Sequence, residues 1–145
     1  MPVKGINRAN KELDRISNQI CNRMLEKGLY IAATVGAGYA TLLTPVDTSN
    51  LINSQYIKVN NNSDGVSVST GYTANYAAAV HGMSGKLKGQ PRSSVKSFTT
   101  KSGQVAFESN NGNFWDPDAE PEFLSKGFNE NLNEIWSAFN KAMKL

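Results

Sequence analysis

The stretch INRANKELDRISNQICNRMLEKGLYIAATVGAGYATLL, residues 6–43, decides the architecture. Ile6, Ala9, Leu13, Ile16, Ile20 and Met24 recur at spacings of three and four, which places them in one stripe along a helix. Arg8, Lys11, Glu12, Arg15, Asn18, Asn22 and Arg23 fill the opposite, solvated face. Such a stripe predicts a helix lying on a core. Gly28 marks a kink or the end of the first half. Ala32, Ala33, Gly36, Ala37, Gly38 and Ala40 then follow. Small side chains let another backbone come close, so this second half is expected to be tightly packed. Pro45 ends the run, because the residue before a proline disfavours the helical region.

Beyond Pro45 the pattern changes from a helical to a strand period. Leu51–Asn60 is rich in β-formers, with Leu51 beginning the buried side of the strand, and Gly65–Thr70 alternates Val66, Ser67, Val68, Ser69. The turn residues Asn60 to Gly65 between them predict a hairpin. Asn75–His81 fits a third strand or a short helix, with Ala77–Ala79 favouring the helix. Residues 82–113 are rich in Gly, Ser, Lys, Thr and Asn. They predict an extended loop, or a second hairpin formed by Val95, Ser97, Thr99 and Gln104–Phe107 around Lys101-Ser102-Gly103. The last element reads as one helix. Pro121 stands in its first turn, and Asp116, Asp118, Glu120 and Glu122 lie near its positive end. Its stripe is Leu124, Phe128, Leu132, Ile135, Trp136, Phe139 and Met143. The expected fold class is α+β: a long N-terminal helix, a small antiparallel sheet, a long loop or extra hairpin, and a C-terminal helix packed on the sheet. The 145 residues suit a single domain, 1–145, with the loop or hairpin at about 82–113 as an insert.

The net charge of +3 hides an uneven distribution. Residues 82–107 carry Lys86, Lys88, Arg92, Lys96 and Lys101 with no acid, whereas residues 108–145 carry seven acids against three lysines. A basic middle and an acidic end predict complementary contacts between copies, the 86–101 loop of one meeting the 108–134 region of a neighbour. The same basic stretch suggests an alternative, a DNA-binding accessory protein. Phe98 is its only aromatic residue, which disfavours stacking on single strands. Phe114-Trp115-Asp116-Pro117 offers either a lid over the core or an interface anchor.

Chemistry-bearing patterns are sparse. His81 is the only histidine, so one chain cannot supply a two-histidine metal site. The acids from Asp116 to Glu122 lack the glycine and distal acid of a calcium loop. Gly82-Met83-Ser84-Gly85-Lys86 lacks the spacer and hydroxyl of a phosphate loop. A serine–His81–Asp47 triad has no nucleophile elbow. Cys21, the single cysteine, rules out an intrachain disulfide, fits a reducing cytosol, and is expected to be a small core residue. No signal-peptide pattern is present, and Thr34, Gly36, Gly38 and Thr41 interrupt the longest apolar stretch, so no membrane partner is expected. No enzyme activity and no cofactor are expected.

Three blocks carry a family resemblance. Thr44-Pro45-Val46-Asp47-Thr48-Ser49-Asn50-Leu51-Ile52-Asn53-Ser54 resembles the Ala/Thr-Pro-Val-Asp-Thr-Gly-x-Leu-x-x-Ser block of the tail-completion, or head–tail joining, proteins of tailed bacteriophages. In that family the block follows a long N-terminal helix. Asn75-Tyr76-Ala77-Ala78-Ala79-Val80-His81-Gly82 resembles its second block, and Glu120-Pro121-Glu122-Phe123-Leu124 the block that opens its last helix. Ser49 stands where glycine is usual, His81 where an acid is usual, and Gly82 comes one position early. The resemblance implies a minor tail or neck subunit that forms a homo-oligomeric ring at the head–tail junction of the virion, after assembly in the host cytoplasm. The implied partners are further copies of itself, an adaptor or head-closure protein, and the tail tube or tail terminator, with DNA passing in the channel. The implied fold signature is Pro45, Val46, Asp47, Thr48, Leu51, Ser54, Tyr76, Ala77, Gly82, Pro121, Phe123 and Leu124. Of these, Asp47 or Thr48 is suited to satisfy turn donors, and Tyr76, Phe123 and Leu124, together with Val80, to meet in the core. The expected interface residues are Lys86, Lys88, Arg92, Lys96, Lys101, Phe114, Trp115, Asp116, Asp118 and Glu120.

Overall fold

Helix α1 (Ile6–Leu43) is a single element of 38 residues, about 57 Å long at the helical rise. A computed structural model describes residues 5–47, 49–62, 65–92, 98–99, 105–106 and 114–144. The helix passes through Gly28 without a break. The small residue there serves packing: a Cβ would lie 3.0 Å from the Met143 sulfur and from the Phe139 ring. Gly36 receives Phe128 in the same way, its ring 2.4 Å from where a Cβ would stand. The tightly packed second half is as expected, with Gly28, Ala32, Ala33, Gly36, Ala37 and Ala40 buried.

After Pro45 comes a short helix, α2 (Asn50–Asn53), which carries the buried Leu51. Leu51 therefore precedes the strand instead of beginning it. Strands β1 (Gln55–Asn62) and β2 (Gly65–Tyr72) pair antiparallel, from Gln55↔Tyr72 to Asn62↔Gly65. They run closer to the hairpin tip than the Asn-rich segment suggested, because asparagines 60–62 still pair in the ladder. Alternate residues Val66, Val68 and Thr70 of β2 are half-buried. Residues 77–81 form a helix, α3 (Ala77–His81), as their alanine content favoured. Phe98 and Thr99 (β3, Phe98–Thr99) pair with Val105 and Ala106 (β4, Val105–Ala106), a second hairpin whose turn, with Val95, Ser97, Gln104 and Phe107, lies outside the described residues.

The C-terminal segment is two helices, α4 (Phe123–Asn129) and α5 (Leu132–Met143), where one was expected. Asn131, at φ −118° and ψ 28°, leaves the helical region and divides them, and Pro121 lies before the first turn instead of in it. Both helices lie along α1, and Phe123 meets the sheet edge-on at Tyr72, with ring centroids 5.2 Å apart. The fold is α+β, as the sequence implies.

One buried cluster joins the parts: Leu51, Ala77 and Phe123, with Leu43, Tyr72, Ala74, Tyr76, Val80 and Leu124 packed around them. Tyr76, Val80, Phe123 and Leu124 thus meet in the core as expected. A polar network pins the end of α1 beside this cluster. The buried Thr44 hydroxyl donates to the Ala40 carbonyl (2.7 Å) and shares a hydrogen bond with the Tyr72 hydroxyl (2.8 Å). The Gln55 side-chain amide donates to the same Tyr72 oxygen and to the Ala37 carbonyl. Two stretches expected to be buried are not. The stripe of Ile6, Leu13, Ile16 and Ile20 is exposed, because α5 reaches along α1 only to the level of Gly28. Leu132 and Trp136 also face solvent, since α5 presents Phe139 and Met143 to α1 instead.

Candidate assembly surfaces

Two regions at opposite ends of α1 carry the features that could meet other molecules. The first is the far pole, beyond Leu43. Segments 85–92 and 114–122 are tied together there by backbone bonds. Trp115 N–H donates to the Gln90 carbonyl (2.9 Å), Gly89 N–H to the Trp115 carbonyl (3.1 Å), and Pro91 bridges Phe114. They are tied to α1 by Glu120 N–H donating to the Leu43 carbonyl (2.9 Å) and Val46 N–H donating to Asp116 Oδ2 (2.8 Å). Asp116 also accepts from Asp118 N–H, a local turn that explains its place in the sequence.

Arg92 grips Asp47 with both terminal nitrogens, at 2.9 and 3.0 Å, and lies over the Trp115 ring at 4.8 Å. The bidentate pair and the stacked ring suit a guanidinium and would not suit a lysine. Trp115 is therefore half-covered within its own chain, while Phe114 stays exposed. Asp47, expected to satisfy turn donors, has Arg92 as a partner. Glu120 accepts from both Lys88 and Lys126. Lys88 and Arg92, expected to seek acids on a neighbour, thus find them 32 and 45 residues away in the same chain. Lys86 is exposed, and Lys96, Lys101 and Thr48 lie outside the described residues.

The hydrogen bond from Lys88, then that from Lys126, lowers the Glu120 carboxyl from its ordinary 4.5 to about 2. A depressed carboxylate stabilises the fold above its unfolded pKa, and that contribution disappears as pH falls through the folded value. The melting temperature of the protein should therefore exceed that of Glu120→Gln near neutrality. The gap should close between pH 4.5 and about 2, which paired thermal melts across that range would test.

The residues read for chemistry do not assemble. His81 stands edge-on to Phe123 at 4.9 Å, with Nε2 3.4 Å from the Ser125 hydroxyl, while Asp47 faces Arg92. Among the described residues no three acids, histidines or cysteines gather as metal ligands. Two open grooves flank α1, one lined by Arg23, Glu26, Lys27, Tyr30 and Val59, the other by residues of β2 and α4. No described helix is long and apolar enough to cross a membrane.

The second region is the arm, the first half of α1. Every residue from Gly5 to Arg23 is exposed, a stretch of helix about 27 Å long. Ile6, Leu13, Ile16 and Ile20 are 43–64% exposed, and all fall on one side. They keep to a and d positions of a heptad that starts at Ile6, with Asn10, Glu12, Ser17 and Gln19 at e and g. That is a narrow seam of the kind that takes another helix or a ridge of side chains. Arg8, Lys11 and Arg15 point away from it, and Cys21, expected in the core, is exposed on this arm.

Residues of the three blocks make contacts within the chain. Pro45 and Val46 carry the chain off α1, Ser54 accepts Thr73 N–H on its carbonyl (2.8 Å), and Gly82 N–H donates to the Ala78 carbonyl. Ser49 holds a left-handed backbone, φ 61° and ψ 2°, at the start of α2. This conformation disfavours a side chain, and the resemblance has glycine at that position. Ser49→Gly should raise stability by up to about 1 kcal/mol, readable as a higher urea midpoint. Comparison with family models, with curated proteins and with solved structures finds no match for the chain.

Proposed function

We propose that this chain is a structural assembly subunit, not an enzyme. On this reading it closes into a homo-oligomeric ring at the head–tail junction of a tailed phage. It thereby completes the tail and joins it to the head. The observation that carries the reading is the arm, which holds an apolar seam in water with none of the described residues packed over it. Contiguous exposed apolar surface of this kind belongs to proteins that are covered by other proteins. The three signature blocks add support. They lie far apart in sequence, yet Leu51, Ala77 and Phe123, one from each, form a single buried cluster. Partners on this reading are further copies of the chain, an adaptor or head-closure protein on one side, and the tail tube or tail terminator on the other. DNA passes through the channel. The subunit assembles in the host cytoplasm and ends in the virion.

The test is the solution mass of the purified chain by light scattering on a size-exclusion column, alone and mixed with tail tubes or filled heads of its phage. A closed oligomer, or a subunit that joins one of those particles, is the expected result. A monomer that ignores both particles and binds duplex DNA with a steep salt dependence would replace the ring by the DNA-binding alternative.

A further inference from the structure

Two limbs of the chain, 83–92 and 114–118, lie side by side beyond the end of α1, and none of their residues is buried. Met83, Leu87 and Phe114 are 56–59% exposed. The limbs are tied to each other by the Gly89–Trp115 and Trp115–Gln90 backbone bonds and by the Pro91–Phe114 bridge. The bonds that tie them to the rest of the fold are polar. Arg92 pairs with Asp47, Asp116 accepts from Val46 N–H, and Lys88 pairs with Glu120. Arg92 is the most enclosed group in these ion pairs, its side chain 5% exposed. It stands on the outgoing limb, meets Asp47 just past α1, and lies over the Trp115 ring of the returning limb at 4.8 Å. One guanidinium therefore fastens both limbs. Below them the chain is anchored differently. Glu120 N–H donates to the Leu43 carbonyl, Glu122 N–H donates to the His81 carbonyl, and Lys126 of α4 pairs with Glu120. Phe123 then enters the buried cluster with Leu51 and Ala77, which includes no residue of either limb.

The free energy needed to open a segment follows the apolar contacts it buries, so a segment that buries few opens below the global unfolding free energy. We propose that the two limbs form a strap latched by the Arg92–Asp47 pair, and that the strap opens as a unit while α1, the β1–β2 hairpin and α4 stay folded. It swings about the base where the Glu120 and Glu122 amides hold the Leu43 and His81 carbonyls. Closed, the strap keeps Lys88 and Arg92 on acids of their own chain. Open, it parts Arg92 from Asp47 and carries Phe114 and Trp115 away from the end of α1, so the far pole has two forms with different surfaces. The latch is a property of the single chain and stands whether or not copies close into a ring.

Trp115 lies on the strap and Trp136 on α5, and the chain has no other tryptophan. In the full chain carrying Trp136→Phe, tryptophan fluorescence therefore reports the strap, and far-UV circular dichroism reports the helices. In urea the fluorescence change should come first and with a shallower slope, because opening the strap exposes less surface than unfolding the core. Arg92→Gln and Asp47→Asn should each move the fluorescence change to lower urea. Both should leave the circular dichroism midpoint where it was, since the strap is already open when the helices melt. Hydrogen exchange of the unaltered chain gives a second reading. The Gly89 and Trp115 amides, which bond between the limbs, should be at least about tenfold less protected than those of Ala33, Ala37 and Ala40 in α1. Coincident fluorescence and circular dichroism changes, or equal protection of the two sets of amides, would put the limbs in one cooperative unit with the core and overturn the inference. So would variants that move both transitions by equal amounts, or that move neither.

Discussion

Replacing Phe123 by alanine should cost about 3–5 kcal/mol, enough to leave a domain of this size largely unfolded at moderate urea. Phe123 is 1% exposed and is among the largest side chains fully enclosed by the fold. Its ring makes edge contacts with Tyr72 and His81, at 5.2 and 4.9 Å, and packs with Leu51 and Ala77. Truncation removes the joint between sheet, short helices and C-terminal helices at once. These partners belong to three different elements, α2, β2 and α3, so they have little means of collapsing together into the gap. Urea denaturation followed by circular dichroism would measure the loss. Trp136→Ala provides the contrast. That side chain is 60% exposed and, apart from its contact with Phe139, should be worth less than about 1 kcal/mol in the isolated chain. A small loss at Phe123 would mean that the core lies elsewhere.

Gly127→Ala should be nearly as damaging for the opposite reason. A Cβ at Gly127 would stand 2.5 Å from the Ala40 nitrogen and Cα, so its obstacle is backbone. Helix α4 would have to lift from α1, carrying Phe128 out of the Gly36 notch. Overpacking of this kind costs about 1–3 kcal/mol, and rigid backbone on the other side puts this site at the upper end. Gly38→Ala tests the same chemistry with the opposite sign. It lies in α1, is exposed, and has nothing within 4 Å of its would-be Cβ. Alanine there should stabilise the chain by about 1 kcal/mol through helix propensity alone. Destabilisation by both substitutions, or by neither, would contradict the packing of α4 on α1.

Much of this was legible in the residues. The period of three and four from Ile6 to Met24, with the stop at Pro45, marked a long N-terminal helix, although Gly28 read as a kink or an end and the helix runs through it. The alternation at Val66–Ser69 marked the hairpin. The alanine–glycine run marked close packing, and Gly36 and Gly127 realise it by admitting a ring and a backbone. Other features leave no local trace. An apolar stripe says that one face of a helix avoids water but does not say which chain covers it, so the arm read as core. The break between α4 and α5 falls in Asn129-Glu130-Asn131, residues that fit either a helix or its end, while the stripe runs on through Phe128, Leu132 and Ile135. Arg92 and Asp47 are joined across 45 residues, beyond the reach of any spacing rule, and the charge blocks therefore read as surfaces for a neighbour. Ser49 carried a visible signal, a serine where the resembling family has glycine, and the left-handed backbone gives its meaning.

Because α1 has no break from Ile6 to Leu43, it fixes both the distance and the angle between the apolar seam and the far pole. Each residue advances the helix by about 1.5 Å and turns it by about 100°. Removing one residue from the arm-proximal stretch between Arg23 and Gly28 would swing the seam a quarter-turn or more out of phase with the pole. Inserting seven there would lengthen α1 by about 10 Å yet bring seam and pole back to within about 20° of their alignment. Lengths of α1 that keep the seam aligned with the pole are therefore graduated in pairs of helical turns, and intermediate lengths are out of phase.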